Sequence, residues 1–337
     1  MIRLWLRRLA TECIERLWYG ERPCFCLLPL ANIYRAVAGF KRRLYQAGWL
    51  RSERLPLPVI VVGNISVGGA GKTPLTVWIV EWLRAQGYRP GVVSRGYGGQ
   101  AQQWPQRVTV DSDPRLVGDE PVLMARRTQC PLAVAPRRAE AARLLLAECD
   151  VIVADDGLQH YALARDIEIA VIDGVRRHGN GACLPAGPLR EPAARLAGVD
   201  LCVCNGGAPQ SGEYAMSLHG DTAVNMIDDR RRLLAEFAGT VHALAGIGHP
   251  RRFFEHLRWA GVSLQERPLP DHHVFSETDL EFGDSRPVLM TEKDAVKCAA
   301  LADIRHWYVP VTARLDPAFG PRLLQLLQEK TRGRTTA

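Results

Sequence analysis

The stretch from residue 57 to residue 74, LPVIVVGNISVGGAGKTP, places an apolar run, a glycine-rich turn and a Lys-Thr pair in the order of a phosphate-binding loop. The β-branched residues within 58–62 predict a buried parallel strand, and a helical pattern follows over 76–86. Glycines let the loop turn its backbone N–H groups inward around an anion, and the helix directs its positive dipole end at the same point. This order predicts a nucleotide-binding α/β core.

Two side chains of this loop are expected to act directly on a nucleotide. Lys72 would reach the β- and γ-phosphates, and the hydroxyl of Thr73 would bind Mg²⁺. The loop departs from the common phosphate-loop pattern at Ser66, which stands where the first glycine is expected. The simpler alternative is a glycine-rich turn that precedes a Lys-Thr pair by chance. The predicted nucleotide-binding residues are Ser66, Val67, Gly68, Gly69, Ala70, Gly71, Lys72 and Thr73.

Short apolar runs alternate with helical patterns beyond the loop, which predicts a P-loop fold with a doubly wound, mostly parallel sheet. Turn-forming residues at 206–213 mark a candidate boundary to a second, smaller α/β domain. We therefore expect a basic amphipathic helical arm over residues 1–51, a P-loop core over 52–210, and a domain over 211–337 that closes over the site. Strands are predicted at 89–94, 131–135, 150–154, 167–172, 201–204, 241–245, 287–290 and 307–311, and helices at 117–127, 137–148, 191–196, 251–260 and 317–329.

The formal charge of +7 is confined to the arm. Residues 1–51 contain ten Arg and Lys against three Glu, and the rest of the chain contains 33 residues of each sign. Tryptophans and other aromatic residues are interleaved with these cations. A basic aromatic segment beside a neutral body favours an anionic membrane surface over nucleic acid.

The arm is too interrupted to span a bilayer. Its longest uncharged run has 12 residues, 23–34, whereas a span needs about 20 apolar residues. We therefore predict that it lies on the membrane surface, and the alternative is a helix that packs on the protein's own core. One helical face of the first part carries Ile2, Trp5, Leu6, Leu9, Cys13 and Leu17.

Two adjacent carboxylates follow the predicted strand at 150–154. Asp155 stands where a Walker B aspartate would hold Mg²⁺, directly or through water. Asp156 points from the same strand end into the crevice where ligands bind in open α/β sheets, and we count it among the catalytic candidates. Each aspartate has a simpler alternative role as a turn or capping residue.

Eight ordered blocks between residues 63 and 298 resemble the tetraacyldisaccharide 4′-kinase family of lipid A synthesis. That family transfers the γ-phosphate of ATP to the 4′-hydroxyl of a lipid-linked glucosamine disaccharide 1-phosphate, giving the 1,4′-bisphosphate at the cytoplasmic face of the bacterial inner membrane. The resemblance thus implies a membrane-associated kinase with ATP and Mg²⁺ as cofactors. The blocks are GNISVGGAGKTP, SRGYGG, VGDEP, DDGLQH, VIDGVRRHGNG, LPAGPLREP, PDHH and MTEKDAVKC.

The resemblance also implies a catalytic pair. The family's proposed base, an aspartate of the GDE motif that works with a histidine of the DH motif, falls on Asp119 and His272. Such a pair suits the reaction, because a sugar hydroxyl needs a group that accepts its proton. Asp119 alternatively caps a helix, and His273 alternatively replaces its neighbour. Glu120 is a candidate Mg²⁺ ligand or a residue that pairs with a helix dipole.

Three arginines are candidates for the 1-phosphate of the acceptor, because guanidinium groups match phosphate oxygens in geometry. They are Arg176, Arg177 and Arg190, and ordinary solvated arginines are the alternative.

The competing function is a P-loop regulatory GTPase or metallochaperone. The sequence argues against it, because no N-K-x-D element occurs and the lysine of Thr291-Glu-Lys-Asp294 is one place late for T-K-x-D. A third hypothesis, a non-catalytic membrane scaffold, would assign no function to Lys72 and the carboxylates. The nine cysteines lack paired zinc-site spacings, which fits a reducing cytoplasm, and we expect a monomer.

Overall fold

The computed structural model describes residue 14, residues 16–271 and residues 273–335. The predictions for His272 and for most of the apolar face of the arm, at residues 2–13, lie outside the described residues. Two β-sheets with helices packed on them make up the described part of the chain.

Nine strands of the described chain form the first sheet. In chain order they are β1 (Val59–Gly63), β2 (Pro90–Ser94), β3 (Gln106–Arg107), β4 (Leu132–Val134), β5 (Val151–Ala154), β6 (Ile167–Asp173), β7 (Leu201–Asn205), β8 (Glu213–His219) and β15 (Thr312–Leu315). Their spatial order is β15-β8-β7-β6-β1-β5-β2-β4-β3. Neighbouring strands from β8 to β4 are parallel, whereas β15 and β3 are antiparallel edge strands. The predicted mostly parallel sheet is confirmed.

The second sheet has six described strands in the order β10-β9-β14-β13-β11-β12. They are β9 (Thr222–Asn225), β10 (Arg231–Leu233), β11 (Thr240–Ala245), β12 (Ser263–Pro268), β13 (Val288–Thr291) and β14 (His306–Val309). Strands β12, β11, β13 and β14 are parallel, and β9 pairs antiparallel with both β14 and β10. The predicted second, smaller α/β unit is therefore present.

Helices connect these strands and cover the sheets. They are α1 (Leu28–Gln46), α2 (Lys72–Ala85), α3 (Pro114–Val117), α4 (Asp119–Thr128), α5 (Arg138–Arg143), α6 (Pro250–Trp259), α7 (Glu277–Leu280), α8 (Glu292–Cys298) and α9 (Phe319–Thr335). Short 3₁₀ helices lie at Phe25–Leu27, Ala193–Gly198, Leu234–Glu236 and Ala299–Leu301.

The first sheet is covered on both faces, which explains why β1 is apolar at successive positions. Ile60 and Val62 join a buried cluster with residues of α2 and α9 on one face. Val59 and Val61 join a second cluster with alanines of α5 on the other face. Because side chains of a strand alternate between faces, a strand between two helical layers needs apolar residues throughout.

Sheet membership does not follow the predicted division at residue 210. The turn-rich segment 206–213 is a loop inside the first sheet, since β8 pairs with β7 directly after it. The chain enters the second sheet only at Thr222 and returns to the first at Thr312. Helix α9 then packs beside α2 through Phe319 and Leu323.

Several local predictions needed correction. The predicted helix at 117–127 is broken at Gly118, whose φ of 94° and ψ of 152° separate α3 from α4. The helical pattern at 137–148 gives only the short α5 followed by turns. Strands β3, β8, β9, β10, β12 and β15 were not predicted, because most of them are short or partly exposed and show little apolar patterning.

Helix α1, within the predicted arm, turns its apolar side outward. Leu30, Ile33, Val37 and Phe40 follow a helical spacing, and each is more than half exposed. Only Ala31 of this helix is buried. This stripe does not pack on the protein core. Within the described ranges, every helix is too short or too polar to cross a membrane.

Candidate active site

A cleft of about 570 Å³ lies between elements that belong to the two sheets. One wall is the phosphate loop with α2, and the opposite wall comes from the β11–α6 connection and the start of α8. Gly248 of that connection lies close to the loop, since a Cβ on it would be 3.5 Å from the backbone nitrogen of Gly69. The sequence-predicted residues that line this cleft are Val67, Gly68, Gly69, Ala70, Gly71, Lys72, Thr73, Glu120, Asp156 and Arg190.

The phosphate loop has the backbone shape that its glycines allow. Gly68 and Gly71 have φ values of 107° and 94°, in the region that favours glycine. A Cβ on Gly71 would lie 2.2 Å from Nδ2 of Asn205, so this position has no room for a side chain. Asn205 donates a hydrogen bond of 2.9 Å to the carbonyl of Ala70 and accepts one of 3.0 Å from Arg252 in α6. The fully buried Asn205 thus links the loop to α6. Helix α6 belongs to the part of the chain between residues 222 and 311, which contains the second sheet and is called the second half below.

Lys72, the first residue of α2, is mostly buried at the phosphate loop. Its Nζ donates to Oδ1 of Asn64 at 3.3 Å and lies 3.5 Å from Oδ1 of Asp156. Only 12% of the side chain is exposed. These contacts hold a cation at the mouth of the loop, where the terminal phosphates of a nucleotide would enter.

Asp155 and Asp156 have opposite electrostatic settings. Burial, with the nearby charges of Glu120 and Asp156, raises the pKa of the fully buried Asp155 to about 7. Burial also acts against ionisation of Asp156, but the charges of Lys72 and Arg190 outweigh it and lower the pKa of Asp156. The charge of Lys72 acts on both carboxylates, but for Asp155 it does not outweigh burial and the two neighbouring carboxylates, whereas Asp156 also has Arg190.

Oδ1 of Asp155 accepts a hydrogen bond of 3.1 Å from Thr76, one turn after Thr73 on α2. Its Oδ2 is buried and has no hydrogen-bond partner within the described part of the chain. An oxygen in that position suits a cation, because cation binding would compensate its burial. Protein side chains alone would not complete the site, since the described residues contain no group of three or more His, Cys, Asp and Glu arranged for a metal. Mg²⁺ commonly takes its remaining ligands from substrate phosphates and water.

Asp119 and Glu120 begin α4 beside the cleft. Oδ1 of Asp119 accepts a hydrogen bond of 2.9 Å from the backbone nitrogen of Glu120, and Asp119 is 6% exposed. Lys293 of α8 reaches both residues, with its Nζ 3.0 Å from Glu120 Oε1 and 3.9 Å from Asp119 Oδ2. The alternative role of Asp119 as a helix-start residue is therefore compatible with a place in the site.

The three predicted phosphate-binding arginines occupy different places. Arg190 lines the cleft and pairs with Asp156 at 3.2 Å. Arg176 and Arg177 border a separate small recess behind residues 66–70 of the loop. Arg177 makes two hydrogen bonds, of 2.9 and 2.7 Å, to the carboxylate of Glu213, and Arg176 lies over the ring of Tyr19. Arg190 is the only one of these three that lines the main cleft.

A second group of cations, missed by the sequence reasoning, surrounds His160. Arg138 lies 3.4 Å from its Nδ1 and also donates to the carbonyl of Asp156 at 3.0 Å. Burial, with the charges of Arg138, Arg165, Lys41 and Arg95, lowers the pKa of His160 to about 4. His160 is therefore neutral at physiological pH, in a positive region beside Asp156.

Some of the site residues that the sequence did not predict lie inside the blocks that resemble the family, and others lie outside them. Asn64, His160 and Lys293 all lie within blocks that carry the family resemblance, but those blocks assign them no role. Asn205 and Arg138 lie outside the blocks, at a strand end and at the first position of a helix. Their roles depend on contacts between distant segments, which local sequence patterns do not encode.

Comparison with known proteins identifies relatives that cover most of this chain. A family model described as tetraacyldisaccharide-1-P 4′-kinase matches residues 24–328. The chain is 52% identical over 323 residues to a tetraacyldisaccharide 4′-kinase of Nitrosococcus oceani, covering 95% of each chain. It is 56% identical over 299 residues to a protein of the same description from Alkalilimnicola ehrlichii, covering 88% of this chain and 90% of the relative.

The fold has a similar solved structure as well. A crystal structure of LpxK from Aquifex aeolicus in complex with ATP aligns with a TM-score of 0.76 and 26% sequence identity. The alignment covers 90% of this chain and 98% of the other.

Proposed function

The chain belongs to the tetraacyldisaccharide 4′-kinase family, the enzymes that phosphorylate the 4′-hydroxyl of tetraacyldisaccharide 1-phosphate in lipid A biosynthesis, and we propose how its cleft performs this transfer. ATP binds with its phosphates in the loop of residues 66–73 and gives up its γ-phosphoryl group to form the 1,4′-bisphosphate. The observation that carries the proposal is the cleft itself, where the phosphate loop faces Glu120 and Lys293, the residue that also reaches Asp119.

Phosphoryl transfer depends mainly on position and charge. The N–H groups at the start of α2 and the ammonium of Lys72 stabilise the negative charge of the terminal phosphates. Apolar residues farther along the cleft, among them Val77 and Trp78, provide a surface for the adenine ring.

Asp119 is assigned the role of general base, with His272 as its partner from the second half. A carboxylate that accepts the proton of the 4′-hydroxyl makes its oxygen a better nucleophile towards the γ-phosphorus. Asp156, ion-paired with Lys72 and Arg190, holds these two cations beside the phosphate loop, where the γ-phosphate of ATP meets the 4′-hydroxyl. Asp156 therefore contributes to catalysis by positioning these two cations.

The residues fit a Mg²⁺ ion that arrives with ATP. Thr73, Asp155 and Glu120 would hold it, since the first and third line the cleft and the second has a buried oxygen without a hydrogen-bond partner in the described chain. Bound Mg²⁺ neutralises charge on the phosphate oxygens during transfer. The nearby charge of Glu120 already acts on Asp155, which indicates that the two carboxylates share one electrostatic environment.

Cations outside the phosphate loop suit the 1-phosphate of the acceptor. Arg190 lines the cleft, and the exposed Lys41 and Arg95 lie in the positive region around His160. Lys41 belongs to α1, so this region continues onto the apolar stripe of that helix. An acyl disaccharide can therefore place its 1-phosphate near Lys41 and Arg95 while its chains remain beside α1.

We expect that Lys41→Gln combined with Arg95→Gln raises the KM for the acceptor about tenfold or more, because two charge-assisted contacts with a phosphate are lost. The KM for ATP should change little. Steady-state kinetics with each substrate varied in turn measures this. The double variant Arg231→Gln with Lys330→Gln removes two exposed cations elsewhere and serves as the charge-matched control. Equal acceptor KM values for the two double variants would contradict the assignment.

Helix α1 is proposed to lie on the cytoplasmic face of the inner membrane as a peripheral anchor of a monomeric enzyme. Its stripe of Leu30, Ile33, Val37 and Phe40 is exposed, and the helix carries Arg35, Lys41, Arg42 and Arg43 without an acidic residue. Apolar burial and attraction to anionic lipids are the two contributions that hold such helices on a surface. The absence of a described spanning helix is compatible with this mode.

The double variant Ile33→Ser with Val37→Ser should lower partitioning onto anionic vesicles about tenfold or more, since burying each side chain is worth about 1.5–3 kcal/mol. Vesicle sedimentation at two salt concentrations separates the apolar contribution to membrane binding from the electrostatic contribution. Ile33 and Val37 are 61% and 62% exposed, and the control pair Ile227→Ser with Ile304→Ser is 56% and 51% exposed on the second half. If both double variants sediment like the wild type, the membrane contact lies elsewhere.

The proposed reaction is tested by following label from γ-labelled ATP. Label should appear in the lipid, with release to water as a minor product. Label that goes mainly to water, and only when a partner protein is added, would instead support the regulatory NTPase.

A further inference from the structure

Lys293 is a cation of the second half that lies among carboxylates of the cleft. It is the second residue of α8, and 17% of its side chain is exposed. Its Nζ lies 3.0 Å from Glu120 Oε1, 3.6 Å from Asp271 Oδ1 and 3.9 Å from Asp119 Oδ2. One ammonium thus contacts two carboxylates of α4 and one from the loop that precedes α7.

These carboxylates repel one another when all are ionised, and the ammonium offsets that repulsion. Lys293 is mostly buried, and its Nζ lies 3.0 to 3.9 Å from all three carboxylates. It also draws the loop that contains Asp271 towards Asp119.

A second ion pair joins the same two helices. Arg127, in the last turn of α4, contacts Glu292 of α8 at 3.2 Å and donates to the carbonyl of Val311 at 3.3 Å. The Arg127–Glu292 pair holds α8 near the last turn of α4, whereas Lys293 contacts the first turn of α4. Loss of Lys293 would therefore leave the other attachment of α8 to α4 in place.

We propose that Lys293 is a positioning residue of the kinase reaction: it orients Asp119 and Glu120 towards the donor and acceptor, and it brings the Asp271 loop of the second half to them. This inference rests on the proposed roles of Asp119 and Glu120. Both ion pairs line the cleft, but they contact different groups: Lys293 contacts Asp119 and Glu120, whereas Arg127 contacts Glu292 and the carbonyl of Val311.

The test compares Lys293→Met, Lys293→Arg and Glu292→Gln in the full-length protein. Lys293→Met should lower kcat about 10- to 100-fold, which is typical when a partner that orients a ligating or reacting group is lost. Lys293→Arg should recover much of that loss, because it restores the charge. Glu292→Gln should lower Tm about as much as Lys293→Met while its kcat falls at least tenfold less.

Binding of ATP provides a readout that is independent of turnover. Trp78 and Trp259 line the cleft, so their fluorescence reports the Kd for ATP. That Kd should stay within about threefold of the wild type in Lys293→Met, since the phosphate loop is untouched. Equal kcat losses in Lys293→Met and Glu292→Gln would show a purely structural ion pair. A large rise in Kd with normal kcat would show a nucleotide contact, and either result overturns the proposal.

Asp119→Asn, assayed beside these variants, separates this inference from the proposed function. If Asp119→Asn is inactive and Lys293→Met has wild-type kcat, the positioning role is wrong and the assignment of the base stands. If Asp119→Asn keeps wild-type kcat, the assignment of the base fails, whatever Lys293 shows.

Discussion

Lys72→Met is expected to lower kcat/KM about 10²- to 10³-fold, because it removes the charge that the phosphate loop directs at the terminal phosphates. The substitution keeps the length of the side chain, so the packing of the first turn of α2 should survive. In the present structure the ammonium contacts Asn64 and Asp156, and neither contact supports the hydrophobic core. Steady-state kinetics with γ-labelled ATP, alongside thermal unfolding, measures the effect.

Two controls make this prediction specific. Lys330→Met replaces an exposed lysine of α9 by the same residue and should have wild-type kinetics. The Tm of Lys72→Met should stay close to that of the wild type. A variant that is folded and turns over at the wild-type rate would contradict the assignment of residues 66–73 to the donor phosphates.

Asp119→Asn should lower kcat about 10²- to 10⁴-fold with little change in the KM for ATP, since general-base catalysis typically contributes that much. Asparagine keeps an oxygen that can accept the hydrogen bond from the backbone nitrogen of Glu120. The start of α4 should therefore remain intact, and the loss should come from the missing base.

Asp113→Asn is the matched control for this variant. Asp113 also accepts a backbone hydrogen bond at a helix start, from Arg115 at the beginning of α3, and it does not line the cleft. It should keep wild-type kcat. If Asp119→Asn mainly raises the KM for ATP and leaves kcat near normal, Asp119 binds nucleotide or metal and another group accepts the proton.

Local sequence patterns were sufficient for the centre of the fold. The strand, glycine loop and Lys72-Thr73 pair predict β1 and α2, and the apolar run before Asp155 predicts β5. These elements are adjacent in the sheet because β1 pairs with β5. Parallel strands that are buried on both faces are apolar throughout, so they leave a clear signal in the sequence.

The edges and the links between the two halves were not predictable in this way. Strand β15 is a short antiparallel edge that returns from the far end of the chain to β8. Lys293 and Asn205 have their roles only because α8 and α6 of the second half lie against α4 and the phosphate loop. Such contacts join residues 47 to 173 positions apart, and no local periodicity records them.

The three arginines show the same limit. Arg176 and Arg177 lie in one block and Arg190 in the next, and by residue type all three suit a phosphate, but of the three only Arg190 lines the cleft. Arg177 is occupied by Glu213, which lies on a strand that the sequence did not reveal. A guanidinium is a phosphate ligand only where the fold leaves its donors facing the ligand.

The most direct test of the whole account is a crystal structure with a non-hydrolysable ATP analogue, Mg²⁺ and the disaccharide head group of the acceptor. The terminal phosphate should lie beside Lys72, and a carboxylate oxygen of Asp119 should lie about 2.6–3.2 Å from the 4′-hydroxyl. A 4′-hydroxyl that instead meets Asp156, or an Asp119 that coordinates the metal, would contradict the proposed mechanism.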